Sequence, residues 1–278
     1  MVIEISKKAK DYNTNFSIIP QNGLELLYQN IERSNGLDTS YVNAIDGVGV
    51  EALHYHKTIV KDNYRQLLLS KLPKEKIVLS SEYVGKDADL LKAKQLNLNK
   101  GYIPFIRTQN NLYYKDIPET INTVKDIKKL SDVKNYLYLI NPEAYNTKQA
   151  YLQALSTTNY DLLLIDLFYN DVPLTQSDVA YLKVKKDGTQ RKVIAYMNIG
   201  AVENYRYYWK KEWTKKQPSW FKKQYEGYED EYWVAFWNPE WKQIIYQAKN
   251  SYLSKILERN FDGVYLDNVE AYYTLYHN

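Results

Sequence analysis

Eight short apolar runs rich in Val, Ile, Leu and Tyr recur along this chain, and most of them end in polar residues. They are NFSIIPQN (15–22), VGVEALHY (48–55), KIVLSSEYV (76–84), GYIPFIRT (101–108), NYLYLINP (135–142), YDLLLIDLF (160–168), KVIAYMNIG (192–200) and FDGVYLDNV (261–269). Amphipathic stretches separate them, including NGLELLYQNIERS, DADLLKAKQLNLN, TKQAYLQALSTT and PEWKQIIYQAKNSYLSKILERN. In the last of these, Asn238 stands where a cap belongs and Pro239 where a first helical turn tolerates proline. Buried strands alternating with helices build parallel sheets. Eight such units predict an α/β fold, a single (β/α)8 TIM barrel over residues 1–278, with a doubly wound open sheet as the alternative. No Gly-rich phosphate fingerprint follows any of the runs, which argues against a nucleotide-binding sheet.

Bulk properties narrow the function classes. A chain of 278 residues with 45% hydrophobic content can bury a full core. Its net charge of +4 is modest, and the lysines are spread through every segment. Nucleic-acid binders gather theirs on one face, so no nucleic-acid partner is expected. Cysteine is absent, which removes disulfides and thiolate metal sites and leaves the redox compartment open. No apolar run approaches the length of a membrane-spanning helix. The opening MVIEISKKAKDYN mixes lysines with apolar residues and has no signal-peptide h-region. His54 and His56 would point the same way on a strand, but neither they nor His277 has a third ligand at metal spacing, so no metal or other cofactor is expected.

Barrel chemistry gathers at the C-terminal ends of strands. The residues found there are Gln21 and Asn22, Glu51 with His54, Glu82 and Tyr83, Arg107, Asn141, Asp166, Asn198 with Glu203, and Asp267 with Asn268. Carboxylates dominate, and no Ser/His/Asp constellation competes with them. Asp262 reads as a turn residue before Gly263, whereas Asp267 follows four residues of buried character and must find donors or a cation. Paired carboxylates serve glycoside hydrolysis, one as nucleophile or base and a protonated partner as acid. Like charges held close push one pKa up, so one site can hold both forms near neutral pH. The chain also holds 29 Tyr, and all six Trp fall between Trp209 and Trp241. Rings of this kind either fill a core or stack on sugar faces.

Four segments carry more than composition: LLLIDLF, VIAYMNIGAVENYRYYW, WVAFWNPEWKQIIY and FDGVYLDNVEAY. In that order they resemble glycoside hydrolase family 114, the endo-α-1,4-polygalactosaminidase group. SIIPQNG (17–23) and DGVGVEALHY (46–55) resemble that family's later strands. The order is rotated, because these two segments come first here and follow YLDNV in the family. Joining Asn278 to Met1 restores the family order, so the resemblance implies a circularly permuted barrel, with residues 110–134 bridging the ancestral ends.

The resemblance also implies a reaction and a site. The substrate would be an α-1,4-linked polysaccharide of galactosamine or N-acetylgalactosamine, cut by a secreted or cell-surface monomer. Asp267 is the expected nucleophile and Glu51 the expected general acid/base of a retaining displacement, which requires carboxyl groups about 5–5.5 Å apart. An inverting enzyme holds them roughly 6.5–9.5 Å apart. Asp166 and Glu82 are expected to lend negative charge that attracts a cationic amino sugar. Gln21, Asn22, Tyr83, Tyr138, Tyr196, Asn198, Glu203, Arg206 and Asn268 are expected to line the cleft, with Tyr205, Trp209 and Trp237 as stacking surfaces. A non-catalytic barrel that grips glycans without cutting them is the alternative.

Overall fold

The structure, a computed structural model, describes residues 1–29, 36–110, 114–119 and 125–276. Each of the eight apolar runs forms a strand: β1 (Ser17–Pro20), β2 (Gly47–Ile59), β3 (Ile77–Val84), β4 (Ile103–Arg107), β5 (Tyr136–Tyr138), β6 (Leu162–Asp166), β7 (Lys192–Asn198) and β8 (Gly263–Asp267). The chain is a mixed α/β fold built on parallel pairing. One five-stranded sheet runs β1–β8–β7–β6–β5, and a three-stranded sheet runs β2–β3–β4. The two meet where Gln21, just past β1, forms a parallel bridge with Gly49 of β2. There Asn22 N–H donates to Gly49 O at 2.8 Å and Asp46 N–H to Ile18 O at 2.8 Å. At the other margin Phe105 of β4 packs its ring 5.7 Å from Tyr136 of β5.

Successive side chains alternate between the two faces of a strand. Val264 and Leu266 on one face of β8, like Leu163 and Ile165 on β6, are fully buried. Tyr265 and Asp267 share the opposite face of β8. Tyr265 lies against Gly49, where a Cβ would collide with its ring, so only glycine leaves room for it.

Helices stand between the strands: α1 (Val2–Tyr12), α2 (Thr39–Ala44), α3 (Asn63–Leu69), α4 (Leu90–Leu98), α5 (Lys148–Ser156), α6 (Gln176–Leu182), α7 (Pro239–Lys242), α8 (Tyr252–Glu258) and α9 (Ala271–Tyr276). Caps fix their starts. Asp38 accepts from Ser40 and Tyr41 N–H, and Thr175 forms a capping box with Asp178. Asn238 caps α7 as its position predicts, accepting from Glu240 N–H at 2.8 Å. The single long helix expected over PEWKQIIYQAKNSYLSKILERN does not form. α7 passes into a π turn (Gln243–Gln247), the chain turns extended at Ala248, and Ser251 caps a new helix, α8. Lys8 of α1 donates to the carbonyls of Tyr246, Gln247 and Ala248, satisfying the groups that the break exposes. In NGLELLYQNIERS the described residues form only a 3-10 turn (Leu24–Leu27), and residues 30–34 lie outside the described residues.

Beyond β7 a three-stranded antiparallel ribbon leaves the parallel sheets: Ala201–Glu203, Phe221–Tyr225 and Tyr228–Val234. Its tip is a two-residue turn, Glu226-Gly227, between the paired Tyr225 and Tyr228. Gly227, the second residue of the turn, has φ +85°, a left-handed conformation that favours glycine. At its base Trp209, Trp213, Trp220 and Trp241 pack together with Phe221. Most of the tryptophan concentration is therefore core.

Candidate active site

The C-terminal ends of the strands and the ribbon tip enclose a cleft of about 950 Å³. Asp267, the last residue of β8, stands in it level with Asn198 of β7. Tyr196 donates its phenolic hydrogen to Asp267 Oδ2 at 2.5 Å, and Asn268 N–H donates to Oδ1 at 2.8 Å. Burial pushes the Asp267 carboxyl up to about 6, against these two donors and with the help of the charges on Glu51 and Glu203.

Glu51 enters the same cleft from β2. Its carboxylate meets the guanidinium of buried Arg107, at the end of β4, and accepts from Gln21 Nε2 at 3.3 Å. Arg65 donates to Glu51 O at 2.7 Å and to Ala52 O at 2.9 Å, gripping the backbone behind the side chain.

Asp166, at the end of β6, accepts from Arg206 at 2.7 Å and from Phe168 N–H at 2.9 Å. Burial raises its pKa in spite of Arg206. Arg206 also donates to Glu203 at 2.7 Å, and Tyr205 OH donates to Glu203 at 2.7 Å. The guanidinium sits among the rings of Tyr205, Tyr196, Phe168 and Tyr252, 5.2 to 6.0 Å from their centres. Asp166 and Glu203 thus share one guanidinium, Arg206, along one wall.

Asn198 organises the mouth without lining it. Its Oδ1 accepts from Gly200 N–H, Ala201 N–H and Asn268 Nδ2 at 2.9 to 3.2 Å. A Cβ at Gly200 would collide with Asn268 O, so the crossing depends on glycine. Asn268 takes φ +56°, a conformation asparagine tolerates better than most residues.

Of the expected site residues, the cleft is lined by Asp267, Glu51, Asp166, Tyr196, Glu203, Tyr205, Arg206, Asn268, Gln21, Asn22, Tyr83 and Tyr138. Glu82, Asn198, Trp209 and Trp237 do not line it. Glu82 is fully buried and accepts backbone N–H groups of His54 and Tyr55, so its charge is spent on the scaffold. Burial opposes its ionisation, yet its donors, with His54 foremost, hold its pKa below the usual range. Trp209 packs against Trp213 and Phe221, and Trp237 stacks on Tyr276 at 5.4 Å, outside the cleft.

The cleft is also lined by five carboxyl residues outside the expected set, Asp171, Glu229, Asp230, Glu231 and Glu270, and two of them are strongly perturbed. Glu231, on the ribbon, lines the cleft near Asn198 Nδ2 at 3.5 Å. Burial, with Glu203 and Asp267 adding to it, pushes Glu231 up to about 8. Glu270 lies three residues past Asp267, and burial followed by the Asp267 charge pushes it up to about 7. The signal that points to Glu231 is Gly227, a turn residue between the strand-forming Tyr225 and Tyr228.

Comparison with known proteins follows the same lines. The sequence model of glycoside-hydrolase family GH114 matches residues 133–278. An uncharacterized protein of Methanocaldococcus jannaschii is 34% identical over 160 residues, 57% of this chain and 44% of the relative. An uncharacterized protein of Deinococcus radiodurans is 33% identical over 124 residues, 45% of this chain and 38% of the relative. One of Thermotoga maritima is 29% identical over 128 residues, 46% and 38% respectively. The matched stretches thus span less than half the length of these relatives.

Proposed function

The chain belongs to glycoside-hydrolase family GH114, and from that premise we propose that it cuts α-1,4-linked galactosamine and N-acetylgalactosamine polymers internally, with retention of configuration. One observation carries the reading: Asp267 and Glu51, from distant parts of the sequence, line one cleft, and the Glu51 charge acts on Asp267. In this reading Asp267 attacks the anomeric carbon, and Glu51 protonates the leaving oxygen and then activates water. Carboxylates around the cleft far outnumber its two arginines, Arg107 and Arg206, which suits a deacetylated, cationic amino sugar. Half-exposed Tyr205 and Tyr228 serve as its stacking surfaces in place of the tryptophans.

The parallel bridge between β1 and β2 and the ring packing between β4 and β5 support closure of the eight strands into one (β/α)8 barrel. Neighbours around that ring follow chain order, and α1 lies against both the Tyr246–Ala248 turn and Ala44 at the end of α2. This supports the circular permutation; the expected closeness of Met1 to Asn278 involves a residue outside those described. We further propose a monomer that works outside the cell, where such polymers lie.

A second assignment rests on the Arg107–Glu51 ion pair, because an anion seated on a guanidinium suits a nucleophile. There Glu51 attacks and Asp267 donates the proton. Reducing-end release from partly deacetylated polygalactosamine tests the activity, and Asp267→Asn should abolish it. Retention of the polymer without new reducing ends would refute hydrolysis and leave a binding protein. With an aryl α-glycoside and azide, loss of the acid/base gives the α-azide and loss of the nucleophile gives the β-azide. The anomer formed by Asp267→Ala therefore decides between the two assignments.

A further inference from the structure

β2 loses its register with β3 just past Glu51. Glu51 is level with Ser81, and the next paired residue, His56, is level with Tyr83. Ala52, Leu53, His54 and Tyr55 therefore stand opposite the single residue Glu82. A bulge of this kind re-aims the chain and leaves backbone groups outside the ladder, where burial demands other partners. Glu82 supplies them. Its carboxylate accepts from His54 N–H at 3.1 Å and Tyr55 N–H at 2.9 Å. Ser80 Oγ at 2.8 Å and Asn97 Nδ2 at 3.0 Å hold that carboxylate in place, and His54 Nδ1 lies 3.2 Å away. At the near end of the bulge Arg65 grips the carbonyls of Glu51 and Ala52, and Ala52 takes the left-handed conformation, φ +51°.

We infer that Glu82 is a positioning residue: its carboxylate stands in for the strand partner the bulge lacks, and so fixes the direction in which Glu51 enters the cleft and meets Arg107. The inference rests on the catalytic reading of Glu51. It explains a fully buried acid, outside the cleft, with no share in the reaction itself. Glu82→Gln keeps the size of the side chain but turns one acceptor into a donor that faces N–H groups.

The test compares wild type, Glu82→Gln, Glu51→Ala and the double variant. Each is assayed on polygalactosamine, and on an aryl glycoside with azide, which bypasses Glu51. Exchange of the Arg107 guanidinium protons, slowed by the ion pair, is followed by NMR. Glu82→Gln should lower kcat about 10- to 100-fold with KM within about twofold. It should speed Arg107 exchange and add nothing to Glu51→Ala in azide. Unchanged kcat and exchange in the folded variant, or an equal loss in the Glu51→Ala background, would overturn the inference. Should Glu82→Gln not fold, Ser80→Ala removes one support of the carboxylate and is judged by the same criteria. A wild-type chain that cuts nothing refutes the glycosidase reading alone, because Arg107 exchange still decides the role of Glu82.

Discussion

Tyr196 of β7 and Asp267 of β8 share a hydrogen bond of 2.5 Å between neighbouring strands, with the phenol as donor. Burial first, and then the Asp267 charge, hold the Tyr196 hydroxyl well above its ordinary pKa, so it remains a donor throughout the working range. It is the foremost influence favouring an ionised Asp267 against the burial that pushes this carboxyl to about 6.

Tyr196→Phe should therefore push Asp267 higher still. If ionised Asp267 is the nucleophile, the acid limb of kcat/KM moves to higher pH. A hydrogen bond to a charged group contributes about 1.5–3 kcal/mol, so the loss is about 10-fold or more at pH 6 and smaller at pH 8. A pH–rate profile checks this; an unmoved limb would detach Tyr196 from the chemistry.

The raised carboxyls also link stability to pH. Glu231 at about 8 and Glu270 at about 7 keep protons in the folded chain that ordinary carboxyls in the unfolded chain have released. Where the folded state binds more protons, stability falls as pH rises. The contribution of these groups is full below their unfolded values and is lost as pH climbs through 7 and 8. Glu231→Gln should match wild type near pH 4.5 and exceed it increasingly up to pH 8. Each kcal/mol corresponds to about 2–4 °C in Tm. Calorimetry at the two pH values checks the sign, and a gap that narrows with pH contradicts it.

The strands and their polar ends were legible because both signals are local: a buried run, then a residue that must find a partner. The Asn238 cap was legible for the same reason. The helix break at Ala248 was not, because the cation that stabilises it, Lys8, lies far away in the chain. Glu82 reads like any strand-end acid until the bulge in β2 turns it toward backbone amides. Glu231 reads as surface charge until the ribbon folds over the cleft.

The aromatic residues divide the same way, and kinetics should separate them. Tyr228 is 37% exposed and lines the cleft, whereas Trp237, 44% exposed, stacks on Tyr276 outside it. A cation over a tyrosine face gains about 0.5–1 kcal/mol, so Tyr228→Ala should raise KM about 2- to 5-fold with kcat retained. Trp237→Ala should leave both constants unchanged. Trp209→Ala should lower stability by about 1–3 kcal/mol without moving KM. A rise in KM for either tryptophan variant would return that ring to the substrate path.

Beneath Asp267, on the same face of β8, Tyr265 fills the interior between Gly49 and Tyr138, its ring centre 5.7 Å from that of Tyr138. Its hydroxyl is buried and has no hydrogen-bond partner among the described residues. An unsatisfied buried hydroxyl carries its desolvation cost with no compensating bond. Tyr265→Phe keeps the ring that supports the cleft floor and removes only that cost. It should therefore be neutral or stabilising by up to about 1 kcal/mol in urea unfolding, with turnover intact. Gly49→Ala presses a methyl group into the same ring and should cost about 1–3 kcal/mol. A clear loss of stability in Tyr265→Phe would mean that the hydroxyl is satisfied in solution, by water held beneath Asp267.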